Sequence, residues 1–511
     1  MKLRGRSRAN KPQSGLFSRH YYTTEYGKIA SRKSIDYLEN ECYTIQERLF
    51  REMKQEKKGN EIHMKQSKTM LEGSEWKLIL LFTLPLMAGN LLQQLYNTVD
   101  GIVVGNFVGE TALAAVGTCA PLTMLFTAIA LGMSNGAAVV VSQFYGAGRM
   151  NEMKKAVASS LILLFGMGVV LSILGCVLSG WLLRVVLGVQ EYLLPQAELY
   201  FRIYAIGLLA QFIYNIVAAI LRSMGDSRAT LYFLLVSAVC NILLDMLAVI
   251  ALGWGVMGVA VATVVSQILS AAVSVVYLFH RYTSLRFAKG ELRFDGEMGM
   301  LILKMGIPST LQQCVVSMGH MAIQRVINHF DITAGYTAAT RIESFILIPV
   351  QGFFMGMATF TGQNLGGGKL SRISKAVKET VLMSLVVVAA VIGIIYPFAP
   401  QLVRIFGVTG ASGDVAVTYL RFVALAFVVF CIYFSINGVL QGSGDVVFTA
   451  FNTFSGLVIK VVFVYLVAYL TPVGMAAIWW GNLVSWIYSL VLAALRYRFG
   501  PWRSKCVVKN S

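Results

Sequence analysis

From Trp76 onward the chain is a succession of twelve apolar segments, at about 76–104, 112–143, 156–183, 197–221, 229–252, 256–279, 302–330, 334–362, 376–399, 416–440, 446–470 and 474–495. At about 1.5 Å of rise per residue, each is long enough as a helix to cross a hydrocarbon layer about 30 Å thick. A soluble chain of this length would need about a quarter of its residues charged to cover its domains. Here 13% are charged and 56% are hydrophobic. The predicted fold is an all-α polytopic membrane protein with twelve transmembrane helices.

The net charge of +18 would suit nucleic acid, but its placement argues otherwise. Numbering the connections from a cytoplasmic N-terminus puts nineteen Lys/Arg on inward connections and the C-terminal tail, against four (Arg184, Arg202, Arg404 and Arg421) on outward ones. That bias is a topology signal placing both termini in the cytoplasm, and no nucleic-acid partner is expected. Residues 1–75 hold sixteen Lys/Arg and ten Asp/Glu, with no apolar run long enough for a signal peptide. They read as a polar cytoplasmic tail, disordered or a mis-annotated start, since MKQSKTMLEGSEWKLILLF from Met64 has the form of a complete N-terminus. The seven cysteines include no C-x-x-C pair and read as small core residues.

A charged connection at about 281–301 divides the chain after six segments, and the halves repeat each other. Pro85 matches Pro308 at an offset of 223, SQFYGAGRMNEMKKAV from Ser142 matches TGQNLGGGKLSRISKAV at 220, LRSMGD from Leu221 matches LQGSGD from Leu440 at 219, and Gly258 matches Gly474 at 216. Four anchors with slowly drifting offsets mark an internal duplication. An even number of spans gives both halves the same orientation. The expected domains are an N-terminal six-helix lobe (76–280), a C-terminal six-helix lobe (302–498) and a cytoplasmic tail (499–511). Two such parallel lobes enclose a central cavity, the architecture of an alternating-access transporter.

The stretch Gly366, Gly367, Gly368, Lys369 lacks the spacing of a phosphate loop, because position 363 is Gln and Leu follows the Lys. With its partner around Gly146 it reads as a helix stop. Without a nucleotide site, transport would draw on an ion gradient. Ionisable residues inside spans are costly and mark functional sites: the acids are Asp100, Asp245 and Glu343, and the bases Arg325, Arg341 and Lys460. Asp100 lies about 33 Å up the first segment, Asp245 about 24 Å up the fifth and Thr263 about 10 Å below the outer end of the sixth. All three therefore fall in the outer half of the first lobe. Asn241 precedes Asp245 by four residues and shares its helix face. Two carboxylates with an amide and a hydroxyl offer hard oxygens for Na⁺, or carboxylates able to take up protons. No other metal is expected. Glu343 follows Arg341 by two residues, on another face, and would pair across helices with Arg325 or Lys460. His320 and His329 read as packed or interfacial.

These residues resemble the multidrug and toxic compound extrusion (MATE) transporters, over about residues 76–498. The resemblance rests on LPLMAGNLLQQLYNTVDGIVVGNFVGETALAAVG from Leu84, ILRSMGDSRATLYF from Ile220, CNILLDMLAVIALGWGVMGVAVAT from Cys240, ATRIESFILIPVQGFF from Ala339, and the SQFYGAG and TGQNLGGG turns. It implies a bacterial inner-membrane exporter exchanging bulky amphipathic, often cationic, drugs for inward-moving Na⁺ or H⁺. It acts within the lipid bilayer as a monomer and needs no cofactor beyond the coupling ion. By position, Asp100, Asn241, Asp245 and Thr263 match the family's first-lobe cation site. Gln93, Asn97 and Asn215 look like polar lining near it, with Gln312, Gln313 and Glu343 lining the second lobe's side of the path. The carboxylates that one branch of the family carries in its seventh and tenth helices are missing here, which confines ion binding to the first lobe. The alternative transporter is a lipid-linked oligosaccharide flippase of the same superfamily, which needs a basic cavity and often extra spans. An intramembrane enzyme would need a convergent catalytic set, and none is found, so no catalytic residue is assigned.

Overall fold

The computed structural model describes residues 69–288, 290–330, 332–405 and 408–508. The tail through Lys68, with the Met64 start, lies outside them. Twelve long helices follow in order. The first six are α1 (Glu75–Val103), α2 (Glu110–Gly146), α3 (Met150–Trp181), α4 (Leu194–Ser223), α5 (Ser227–Asp245) and α6 (Gly255–Arg281). The second six are α7 (Gly296–His329), α8 (Thr333–Gly366), α9 (Leu370–Ile405), α10 (Gly410–Gly442), α11 (Val446–Leu470) and α12 (Ala477–Phe499). Eleven of them are long and apolar enough to span a membrane. The exception is α7, which carries Lys304, Gln312, Gln313, Gln324 and Arg325 along its length. α7 also starts six residues before the apolar run at 302, because its first turns extend the helix into the polar connection.

The packing repeats as the sequence does. α1 against α5, α2 against α4, and α4 against α6 are matched by α7 against α11, α8 against α10, and α10 against α12. One anchor shifts: Gly255 and Gly474 share a φ of 56° at the entry to the last helix of each lobe, so they are the equivalent pair and the offset there is 219. Gly258 is instead a contact residue, its Cα against Ala248. The outermost helices α3 and α9 expose Val170, Ile173 and Val177, and Leu382, Val386 and Ile394, in the manner of lipid-facing surface.

The lobes meet through small residues. Gly132 and Gly136 of α2 lie against the backbone of Thr310 and Gly306 in α7, and the equivalent Gly352 and Gly356 of α8 lie against Thr83, Met87 and Ile79 in α1. Both pairs have the G-x-x-x-G spacing that lets membrane helices approach closely. Nearer the face where α1 begins and α12 ends, here the terminal face, Gly146 lies against the Gln363 carbonyl and Gly366 against that of Gln143, with no room for a Cβ at either. The side chains complete the seam: Gln143 Nε2 donates to Gly442 O (3.1 Å) and Gln363 Nε2 to Ser223 O (2.8 Å).

Both ends of the described chain close over this seam. The Met70 N–H donates to Gln363 Oε1 (2.8 Å), and the Val507 N–H to Gln143 Oε1 (2.6 Å). Trp502, 1% exposed, is buried in the second lobe's core, stacked on Tyr497, while Val508 is buried in the first lobe's. The connection between the lobes is pinned by Lys154 on Glu291 (2.6 Å). That ammonium's hydrogen bond holds the Glu291 carboxyl below the usual carboxylate range. In the repeated G-D turns, Asp226 accepts from Tyr277 (3.0 Å) and Tyr282 (3.2 Å) and caps α5 through Ala229 N. Its counterpart Asp445 is held by Arg496 (2.7 Å), at the position equivalent to Tyr277.

Candidate functional site

In the first lobe, Asp100 sits one turn before the end of α1 and Asp245 is the last residue of α5. Beyond each, the helix widens into a π turn, Val104–Val108 and Met246–Ala251, a feature common at functional sites. Asn241 and Asp245 are 1% exposed and Thr263 8%. The Asp100 and Asp245 carboxyls approach each other closely enough to interact. Yet Asp100 Oδ1, both oxygens of Asp245 and both polar atoms of Asn241 have no hydrogen-bond partner among the described residues. Buried carboxylates left this way are unfavourable unless a cation or proton joins them. The Thr263 hydroxyl donates to Val259 O (3.0 Å), which leaves its lone pairs available as a further hard oxygen. These groups fit a coupling ion of the Na⁺ or H⁺ type.

Three tyrosines that the sequence reading passed over belong to this surrounding. Tyr96, Tyr200 and Tyr204 lie within electrostatic reach of one another or of Asp100. Tyr204 donates to Gln211 Oε1 (3.1 Å), whose amide donates to Thr127 (2.8 Å). The available signal was the repeat itself, since Tyr200 and Tyr419 are 219 residues apart.

The second lobe builds something different at the equivalent place. Glu343 accepts from Tyr419 Oη (2.7 Å), which accepts from Asn482 Nδ2 (3.3 Å). Lys460 acts electrostatically on the same carboxylate. With the 219 offset, Tyr419, Lys460 and Asn482 stand where the first lobe has Tyr200, Asn241 and Thr263. Asp100 and Asp245 correspond to buried Ile323 and Val464. The side chains of Arg325 and His320 lie outside the described residues; Arg341 and His329 are exposed, and the His329 ring packs on Phe330 and Tyr469.

Between the lobes, just above the seam, lies a cavity of about 120 Å³. Gln312 and Gln313 line it, with Asn135, Arg222, Asn437 and Gln441. Of the other residues read as lining, three have described side chains. Gln93 is exposed, Asn215 is turned onto the Gln211 carbonyl of its own helix (2.8 Å), and Glu343 is held in the second-lobe cluster. The Asn97 side chain lies outside the described residues.

With two equivalent six-helix lobes and this cavity between them in view, comparison with known proteins settles the family. The MatE family model matches residues 85–247 and again 308–466, once in each lobe. The chain belongs to the MatE family. The "Probable multidrug resistance protein YoeA" of Bacillus subtilis is 28% identical, the match covering 85% of this chain and 96% of the relative. "Probable multidrug resistance protein YpnP" of the same organism is also 28% identical, over 85% and 97%. A solved MOP-superfamily transporter from Pyrococcus furiosus, described under the words "reverse polarity of binding pocket", superposes with a TM-score of 0.80 at 26% identity, covering 86% of this chain and 98% of that one. The chain is thus a multi-pass MATE transporter of the multidrug exporter type. These relatives give no support to the flippase reading.

Proposed function

We propose that this protein is a secondary active exporter that exchanges amphipathic organic compounds for Na⁺ or H⁺ by alternating access. The observation that carries the reading is the concentration of five partnerless buried polar atoms on Asp100, Asn241 and Asp245. Ion entry from the outer side would relieve that penalty and bias the first lobe toward the state that has released its cargo. A ligand shifts two states only through its differential affinity for them. In this scheme Asp100 and Asp245 bind the ion, while Asn241 and Thr263 supply neutral oxygens. The seam at Gln143 and Gln363 is the inner gate, closed in the state described here. The termini and the seam face the cytoplasm of a bacterial cell, in keeping with the nineteen-to-four bias of basic residues. We assign no catalytic role, and the protein works as a monomer.

The test is export of a fluorescent organic cation from proteoliposomes under a Na⁺ gradient and a pH gradient imposed separately. One of the two should drive accumulation against the dye gradient. Movement that follows only the dye's own gradient under both conditions would sink the coupled-export reading.

A further inference from the structure

The cavity above the seam contains a charge that the coupling scheme does not use. Arg222, in the last turn of α4, lines it, and no carboxylate pairs with its guanidinium among the described residues. Among the described residues the ion pairs all involve other side chains. An arginine near a helix C-terminus gains from the helix dipole. That cannot be the whole reason for this one, because the equivalent residue of the other lobe is Gln441. Gln441 occupies the same turn of α10 and is fully engaged, donating to Ser309 Oγ (3.1 Å) and accepting from Thr449 Oγ1 (2.9 Å). The fold therefore closes with a neutral, hydrogen-bonded amide on one side and, among the described residues, an unpaired cation on the other.

A second observation concerns the lining. Asn437 is 1% exposed, lines the cavity, and leaves its Oδ1 without a partner, an acceptor that calls for a donor group on the ligand beside whatever the guanidinium holds. Asn135 lines the same space. No Asp or Glu is among the lining residues. A half-buried guanidinium beside amides and no acid selects an oxyanion, which it can hold through two parallel charge-assisted hydrogen bonds. At about 120 Å³ the space is of the size that admits one small ring. It is smaller than a pocket for a whole drug.

We propose that this cavity is a subsite for the acidic head group of an exported amphiphile, a carboxylate or phosphate seated on Arg222 with Asn135 and Asn437 beside it. The substrate range then extends from organic cations to zwitterions and organic acids. Their anionic end sits on Arg222 between the lobes, while their apolar body lies beyond the cavity, which is too small to hold it. The inference takes its transport context from the exporter reading, but its test is a binding measurement that does not need coupling.

The probe is a matched pair of dyes, rhodamine 110, which has a free carboxylate, and its methyl ester rhodamine 123. Fluorescence polarisation of the purified full chain in detergent should show that Arg222→Gln weakens binding of the acid at least tenfold and of the ester less than twofold, with Arg222→Lys intermediate for the acid. Asn135→Ala should weaken the acid severalfold by the same comparison, and serves in place of Arg222→Gln if that variant does not fold. Short-chain phosphatidylglycerol added as competitor separates the two sources of anion: displacement of the acid from wild type identifies a lipid head group as an occupant of this subsite, and its absence confines the subsite to free organic acids. No binding of the acid to wild type, or equal losses for acid and ester in both variants, overturns the proposal. If the acid-selective loss is present but neither dye responds to an ion gradient in proteoliposomes, the exporter reading fails and the subsite stands.

Discussion

Gln143 and Gln363 are 220 residues apart and make the same two bonds on opposite sides of the seam. Each amide donates to the last turn of a helix in the other lobe, Gly442 and Ser223, and each carbonyl oxygen accepts a backbone N–H from a chain end, Val507 and Met70. The bonds depend on the close backbone approach at Gly146 and Gly366. Separating the lobes at this face breaks both sets together.

The first prediction follows from that approach. Gly366→Ala places a methyl on the Gln143 carbonyl, a backbone contact that cannot swing aside, so the seam should fail to close. Export should fall at least tenfold with insertion intact. Ser142→Cys, at a buried position, should become labelled by a membrane-impermeant maleimide in inverted vesicles of the double variant. Gly393→Ala, where a Cβ meets nothing within 4 Å, is the control and should leave export unchanged. Wild-type export by the Gly366 variant would refute the gate.

The second prediction separates coupling from folding. Asp100→Asn or Asp245→Asn should abolish gradient-driven export. Because each removes a carboxylate with at least one buried oxygen that lacks a hydrogen-bond donor, thermal stability should be equal to wild type or higher. A variant that keeps its gradient response removes that residue from the ion site.

The third concerns the second lobe. Tyr419→Phe deletes the hydroxyl that bridges Glu343 and Asn482, leaving two buried polar groups short of a partner. The expected cost is about 1–3 kcal/mol of stability. Glu343→Gln should likewise change stability or drug affinity more than ion dependence. The check is transport titrated with the coupling ion at saturating drug. A large shift in ion dependence for Glu343→Gln, with none for Asp245→Asn, would reverse the assignment between lobes.

The twelve helices, their duplication and the buried acids were legible because membrane spans forbid scattered charge, so Asp100, Asp245 and Glu343 stand out in otherwise apolar runs. The equivalences between lobes were legible wherever a turn motif repeats. The seam glutamines were not, because Gln143 and Gln363 precede glycines that read equally well as helix stops, and their partners come from 140 and 299 residues away. The π turns after the acids leave no mark in hydrophobic periodicity. The partner of Glu343 was sought among bases, whereas its hydrogen bond comes from Tyr419, a residue whose polar atom is one in an aromatic body. Gln93 and Asn215 were assigned through the family resemblance, which does not specify where a helical side chain points in this chain.

The fourth prediction tests the C-terminal segment. Trp502→Ala opens a cavity in the second-lobe core and should cost about 3–5 kcal/mol, read as a lowered melting temperature. If melting is unchanged, the segment is not anchored there.

That segment has a practical consequence. Trp502 is rooted in one lobe and Val508 in the other, so any movement that parts the halves must pull six residues taut or draw Val508 out of its socket. A bulky fusion placed directly after Val508 would load this joint, so affinity tags and fluorescent reporters there should alter the proposed cycle they are meant to follow.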